Sequence, residues 1–210
     1  MSILDENLKV TNSLSLRAII PGLFLILLVD ALAFIGMWPS TGIVNLAFSL
    51  VLLVLPWATL VVTRKSVTNL GYQRAQALRA LGWGMVAGGL WRITSILINF
   101  SVMKLGNSYI DWIFPVLGAI VWVPLVEETY FRGYIGRTLS TSIGLWPGIA
   151  AQALLFTLQP VHLSQGLIAL ISVFGFGVIA GWIQNRFDSI WAAWGAHAFA
   201  NVLPLLILFT

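Results

Sequence analysis

Few ionisable side chains fall inside the apolar stretches of this 210-residue chain. Among them are Arg92, Glu127, Glu128, Arg132, His162 and His197, with Asn201 as a neutral companion. In hydrocarbon each costs a few kcal/mol unless it is paired or wetted, so each is a functional candidate. Glu127 and Glu128 are adjacent and close the apolar run from Ile113 to Val126. Two neighbouring carboxylates repel, so one tends to keep its proton or a cation must sit close by. Arg132 follows Glu128 by four residues, one helical turn, which pairs the two. Glu127 then points about 100° away around the helix, free for proton chemistry.

His197 and Asn201 are also four residues apart and share one helix face. Imidazole and amide N–H groups side by side can receive a developing oxyanion. His162 is the other histidine of the chain and follows Pro160 at the end of an apolar run. Taken together, the set offers an acid–base carboxylate, a carboxylate–guanidinium brace, two imidazoles and an amide. Those are the parts needed to add water to an amide carbonyl.

The composition says what must position them. Hydrophobic residues make up 59% of the chain and charged residues 9%, against about 25% charged in a soluble domain. So little charge excludes an ordinary soluble domain, a disordered chain and a basic-faced nucleic-acid binder. It points to an all-α polytopic transmembrane bundle of about seven helices. Without cysteine there is no disulfide, thiolate metal site or cysteine nucleophile. The expected spans lie at about 18–37, 43–62, 80–102, 109 to beyond 126, 146–162, 165–184 and 190–209. Residues 1–210 read as a single membrane domain, with N-terminal helices over 1–105 and a catalytic core over 106–210. The start, Met1 to Leu16, does not resemble a cleavable signal peptide.

With the N-terminus in the cytoplasm, nearly all Lys and Arg fall on the inner side, including Lys9, Arg64, Lys65, Arg74, Arg79, Arg137 and Arg186. Only Lys104 falls outside, and Arg92 lies within a span. The expected orientation in the cell membrane is therefore N-terminus inside and C-terminus outside. The pairs Gly84/Gly88 and Gly177/Gly181 read as helix-packing surfaces. Trp38, Trp57, Trp112, Trp146, Trp182 and Trp191 read as interfacial anchors.

Glu127-Glu128-x-x-x-Arg132 resembles the first motif of the CAAX protease and bacteriocin-processing family of intramembrane endopeptidases, and His197-x-x-x-Asn201 resembles its last. The family's middle motif is Phe-x-x-x-His. Here Phe156 precedes His162 by two residues more than that, with Pro160 in the gap. The resemblance covers roughly residues 110–205 and implies a glutamic-type peptidase acting on a membrane-associated protein or peptide, in contact with the bilayer and not with nucleic acid. It implies Glu127 as the base that activates water, assisted by His162, with Glu128 and Arg132 holding Glu127 and with His197 and Asn201 binding the oxyanion. The family is now described as working without metal. From the residues themselves, two histidines plus carboxylates leave a three-ligand zinc site open.

Depth sets a condition on this arrangement. His162 reaches the level of Glu127 only if the fourth and fifth helices form a hairpin turning near Gly144 and the fifth breaks at Pro160 inside a wetted cavity. Two other functions fit parts of the pattern. A non-catalytic immunity or scaffold protein would bind a peptide in the same cavity, and a proton-coupled transporter would use Glu127 and Glu128 as a relay. Arg92 has three open readings: a pair with Asp111, a pair with a core carboxylate, or a place facing a wetted cavity.

Overall fold

The computed structural model describes residues 14–39, 41–99, 117–163 and 165–207. Lys104, Asp111, Trp112 and the expected start of the fourth span near Tyr109 lie outside them. Apolar runs set most of the helices: α1 over Leu16–Phe34, α2 over Gly42–Thr63, α3 over Ala77–Asn99, α7 over Leu167–Phe187 and α8 over Ile190–Ile207. Three of these, α1, α2 and α7, are long and apolar enough to cross a membrane. Among the described residues there is no strand. The Thr41 side chain caps α2 by accepting from Val44 N–H at 3.4 Å. Arg64 and Asp188, at φ 53° and 49°, end α2 and α7 in the left-handed region.

Between α3 and α7 the helices are less regular. Residues 118–142 form one continuous helix, α4. In it the wide π-helical turns Gly118–Trp122 and Glu128–Gly136 alternate with α-helical Val123–Glu127 and Arg137–Ser142. Gly144, at φ 102°, turns the chain back into α5, Leu145–Thr157. That is the hairpin expected from the depth argument. α5 stops at Leu158–Gln159, and a single turn, α6, covers Pro160–Leu163.

The core sits where α4 meets α1, α2, α5 and α8. Tyr130 and Tyr134 of α4 donate to the carbonyls of Gly22 and Ala18 at 2.7 Å each, on either side of Pro21 in α1. Below them the 66–72 loop is tied to α8 by Ile190 N–H donating to the Gly71 carbonyl at 2.8 Å, and to α4 by the 2.6 Å Tyr72–Thr129 hydroxyl pair. Trp57 and Trp191, expected as interfacial anchors, both pack on Tyr72, at 5.3 and 5.7 Å. Trp146 and Trp182 remain exposed.

The glycine pairs do the packing expected of them. A Cβ on Gly84 would strike the Ala192 carbonyl, and one on Gly88 the Ala196 carbonyl, so α3 and α8 touch backbone to backbone. Gly177 lies against Ala153 of α5, and Gly181 against the Gln152 side chain of the same helix. Overpacking costs about 1–3 kcal/mol where side chains can shift. Here the obstacle is backbone, so Gly88→Leu is expected to exceed that range, read as loss of the monodisperse folded species in detergent. Gly82 has nothing within 4 Å of where a Cβ would lie. Gly82→Ala is therefore the matched control, expected to leave stability equal or raised by up to about 1 kcal/mol.

Candidate active site

The two adjacent acids of α4 have opposite surroundings. Glu128 is fully buried and doubly held. Its Oε2 lies 3.2 Å from Arg132 Nε, and its Oε1 lies 2.6 Å from Nδ1 of His197 on α8. Glu127 is 17% exposed and opens on a largely apolar cavity of about 550 Å³ among α1, α2, α4 and α6, lined also by Phe48, Leu52, Trp122 and Pro160. Among the described residues the basic group within 4 Å of it is the His197 ring, with Nε2 3.9 Å from Oε2. That gap is beyond a direct hydrogen bond. The split between a braced Glu128 and an outward Glu127 is the one the four-residue spacing predicts.

The brace itself is unusual. None of the Arg132 nitrogens has a well-aligned hydrogen bond, although all are buried. The guanidinium is held by the Glu128 charge and by two ring faces, Phe156 at 4.0 Å and Phe176 at 5.6 Å from its central carbon. A cation between desolvated aromatic faces gains about 2 kcal/mol per good contact. Arg132 and Glu128 both lie within the π-helical stretch Glu128–Gly136. Such turns widen the helix and recur at functional sites.

His197 Nδ1 meets a carboxylate oxygen, so Nδ1 carries the proton when the ring is neutral. Nε2 then faces Glu127 as an acceptor, and it becomes a donor only when the ring is charged. The expectation of two ready donors, His197 and Asn201, side by side is thus narrowed. Asn201 lies one turn beyond His197 on α8, and both line a second, smaller cavity of about 130 Å³.

His162 lines that second cavity too. The break at Leu158–Gln159 folds α6 back, so that His162 Nδ1 donates to the Phe156 carbonyl at 3.0 Å and its ring lies 5.0 Å from the Phe156 ring. The two extra residues between Phe156 and His162 are absorbed by this turn. His162 is therefore brought to His197 and Asn201. Glu127 opens on the other cavity, and among the described residues no hydrogen bond joins it to His162. His197 stands between the two. Its ring lies 6.2 Å from Phe156 and 5.3 Å from Phe176. Among the described residues no group of three acidic or imidazole side chains is arranged to hold a metal ion.

Sequence reasoning missed Phe176, whose ring supports both Arg132 and His197, and the hydrogen-bonded pair Ser95–Ser172 at 2.9 Å, which lines the second cavity. Neutral residues in apolar helices carry no signal of a site unless their neighbours in space are known. Arg92 was legible as a deep charge, and its place in the same cavity was not.

Residues 109–203 match the family model described as Type II CAAX prenyl endopeptidase Rce1-like. The match runs from ahead of Glu127 to beyond Asn201 and so spans the whole cluster. It agrees with the family resemblance carried by the first and last motifs. Neither a curated protein nor a solved structure matches the chain.

Proposed function

We propose that this chain is a multi-pass membrane endopeptidase of the Rce1-like kind, hydrolysing a peptide bond of a membrane-associated protein or peptide close to the cytoplasmic face. The observation that carries the reading is the unequal treatment of two neighbouring acids. Glu128 is fixed by Arg132 and His197, and Glu127 is left facing a cavity with an imidazole nitrogen 3.9 Å away.

In this reading Glu127 takes a proton from a water in the larger cavity, and the resulting hydroxide adds to the scissile carbonyl carbon. The carboxylate of Glu128 keeps the His197 proton on Nδ1, so Nε2 accepts the proton that Glu127 collects. The charged ring then offers Nε2–H to the oxyanion beside the Asn201 amide. On collapse of the tetrahedral intermediate the C–N bond breaks, and the same proton passes to the leaving amine. His162 holds the opposite wall of the smaller cavity, its Nδ1–H committed to the Phe156 carbonyl and its Nε2 open as an acceptor. The apolar lining around Glu127 seats the apolar part of the substrate. The prenyl group in the family's description is one such part. The Lys and Arg distribution supports a cytoplasmic N-terminus and an outer C-terminus.

The test is cleavage of membrane-anchored peptides by the purified chain in water labelled with heavy oxygen. One labelled oxygen in the new carboxylate is expected. Asn201→Ala is expected to lower kcat by about 10²–10³, the usual cost of one oxyanion donor, with KM nearly unchanged. Peptide binding without cleavage would favour the scaffold reading. Proton flux into vesicles that depends on Glu127 would favour the transporter.

A further inference from the structure

Nearer the start of α3 and the end of α7, these two helices frame a third recess, of about 600 Å³, lined by none of the candidate catalytic residues. It has a charged end and an apolar end. Arg79 from the first turn of α3 and Arg186 from the last turn of α7 both line it, and both are exposed. The acid of the recess, Asp188, is engaged elsewhere, with its Oδ1 2.6 Å from Arg137 Nη1. Among the described residues neither Arg79 nor Arg186 forms an ion pair. Separate helices thus bring two guanidinium groups to one recess. Further along α3, Trp83, Val86 and Leu90 continue the same face at three- and four-residue spacing, and Trp182 lines the recess from α7. All four are exposed.

We infer that this recess binds an anionic phospholipid, with the phosphate between Arg79 and Arg186 and an acyl chain along Trp83, Val86 and Leu90. From Arg79 to Leu90 the helix rises about 16 Å, close to half of the roughly 30 Å hydrocarbon core. The recess therefore has the length of one leaflet and its order of polarity: cations at headgroup level, Trp at the interface and aliphatic side chains deeper. A guanidinium presents a planar fork of donors that matches phosphate oxygens. The Lys and Arg distribution puts both arginines on the cytoplasmic side, where the leaflet carries a negative surface potential. Free phosphate would leave the aliphatic half of the recess uncovered, and a zwitterionic lipid would leave the two cations without a net negative partner. α3 and α7 also wall the smaller cavity, through Arg92 and Ser95 on one and Ser172 and Phe176 on the other. A lipid held across them steadies the frame around His197.

The experiment reconstitutes the full-length chain in vesicles of equal parts phosphatidylglycerol and phosphatidylcholine, extracts it in mild detergent and counts retained lipid by native mass spectrometry. Phosphatidylglycerol is expected to be retained about tenfold or more over phosphatidylcholine. Arg79→Gln and Arg186→Gln are each expected to cut that preference about fivefold, and the double variant to bring it to about one. Arg64→Gln removes a cation on the same expected side of the membrane but outside the recess, and is expected to leave the preference unchanged. Added phosphatidylglycerol is also expected to raise the Tm of the unaltered chain and not that of the double variant. Glycerol 3-phosphate, which has the charge without the tail, is expected to leave Tm where it is. Equal retention of the two lipids would overturn the site. So would a loss in Arg64→Gln as large as in Arg79→Gln, the mark of diffuse surface attraction. Protection by glycerol 3-phosphate alone would show an anion site with no lipid specificity, and a lipid-free dimer that Trp83→Ala dissociates would show a second copy as the occupant; either overturns the inference. The two single variants carry the test should the double variant not be recovered folded.

Discussion

Glu127→Ala is expected to abolish peptide hydrolysis, with kcat down by about 10²–10⁴, while the apparent Tm stays within a degree or two. General-base catalysis contributes on that order. The expectation on stability comes from what Glu127 does not hold. Its carboxylate opens on the larger cavity, and the basic group near it, His197 Nε2, stands at 3.9 Å. Removing the carboxylate therefore leaves no buried donor or acceptor orphaned, which is the usual source of a large penalty. His197 keeps its 2.6 Å bond to Glu128. Glu127→Asp shortens the reach by one methylene and is expected to fall between the two, since reacting groups must lie within about 3–3.5 Å. The same substitutions at Glu128 are expected to lower activity and Tm together. Activity is read with the membrane-anchored peptides and Tm by intrinsic fluorescence, for which the chain's 10 Trp are sufficient. Normal turnover by Glu127→Ala would remove Glu127 as the base. A collapse of its Tm would show a structural role instead.

The parts of this site that were legible in the sequence are those written in local spacing. Glu128 and Arg132, and His197 and Asn201, lie one turn apart, and any helical backbone brings each pair to one face. Hydropathy located the helices, because hydrocarbon demands a continuous apolar run, and the ends of α1, α2 and α7 fall within three residues of those expected. The Gly84/Gly88 pair marked a close approach, though not that Ala192 and Ala196 were its target. The π-helical turns of α4 left no trace, since the same side chains fit an i→i+4 or an i→i+5 ladder and only tertiary packing chooses. The return of His162 to Phe156 was legible only as a condition. Pro160 announced a break, but the direction of the chain after it depends on α1 and α7, against which α6 packs. Arg92 shares a cavity with His197 because α3 and α8 pack backbone to backbone, a long-range fact that no window of sequence contains.

Arg132→Ala is expected to be the most destabilising single substitution in the site, at about 3–5 kcal/mol, the range for breaking a buried ion pair from one side. Arg132 is the largest fully buried side chain among the described residues. Its loss leaves Glu128 in a water-free position with His197 as its remaining partner, and it removes the cation from between Phe156 and Phe176. Arg132→Lys restores charge but not the flat group that lies over two rings, so partial recovery of Tm is expected. The sharper comparison is the double substitution Glu128→Gln with Arg132→Met, which removes both charges and keeps most of the volume. If the single-site cost is an uncompensated carboxylate, the double variant recovers most of the lost stability. It does not recover activity, because an amide at position 128 no longer stabilises the charged imidazole of His197. Stability and catalysis are thus expected to separate across the cycle. A double variant as unstable as Arg132→Ala would mean that shape, and not charge, is what this side chain contributes.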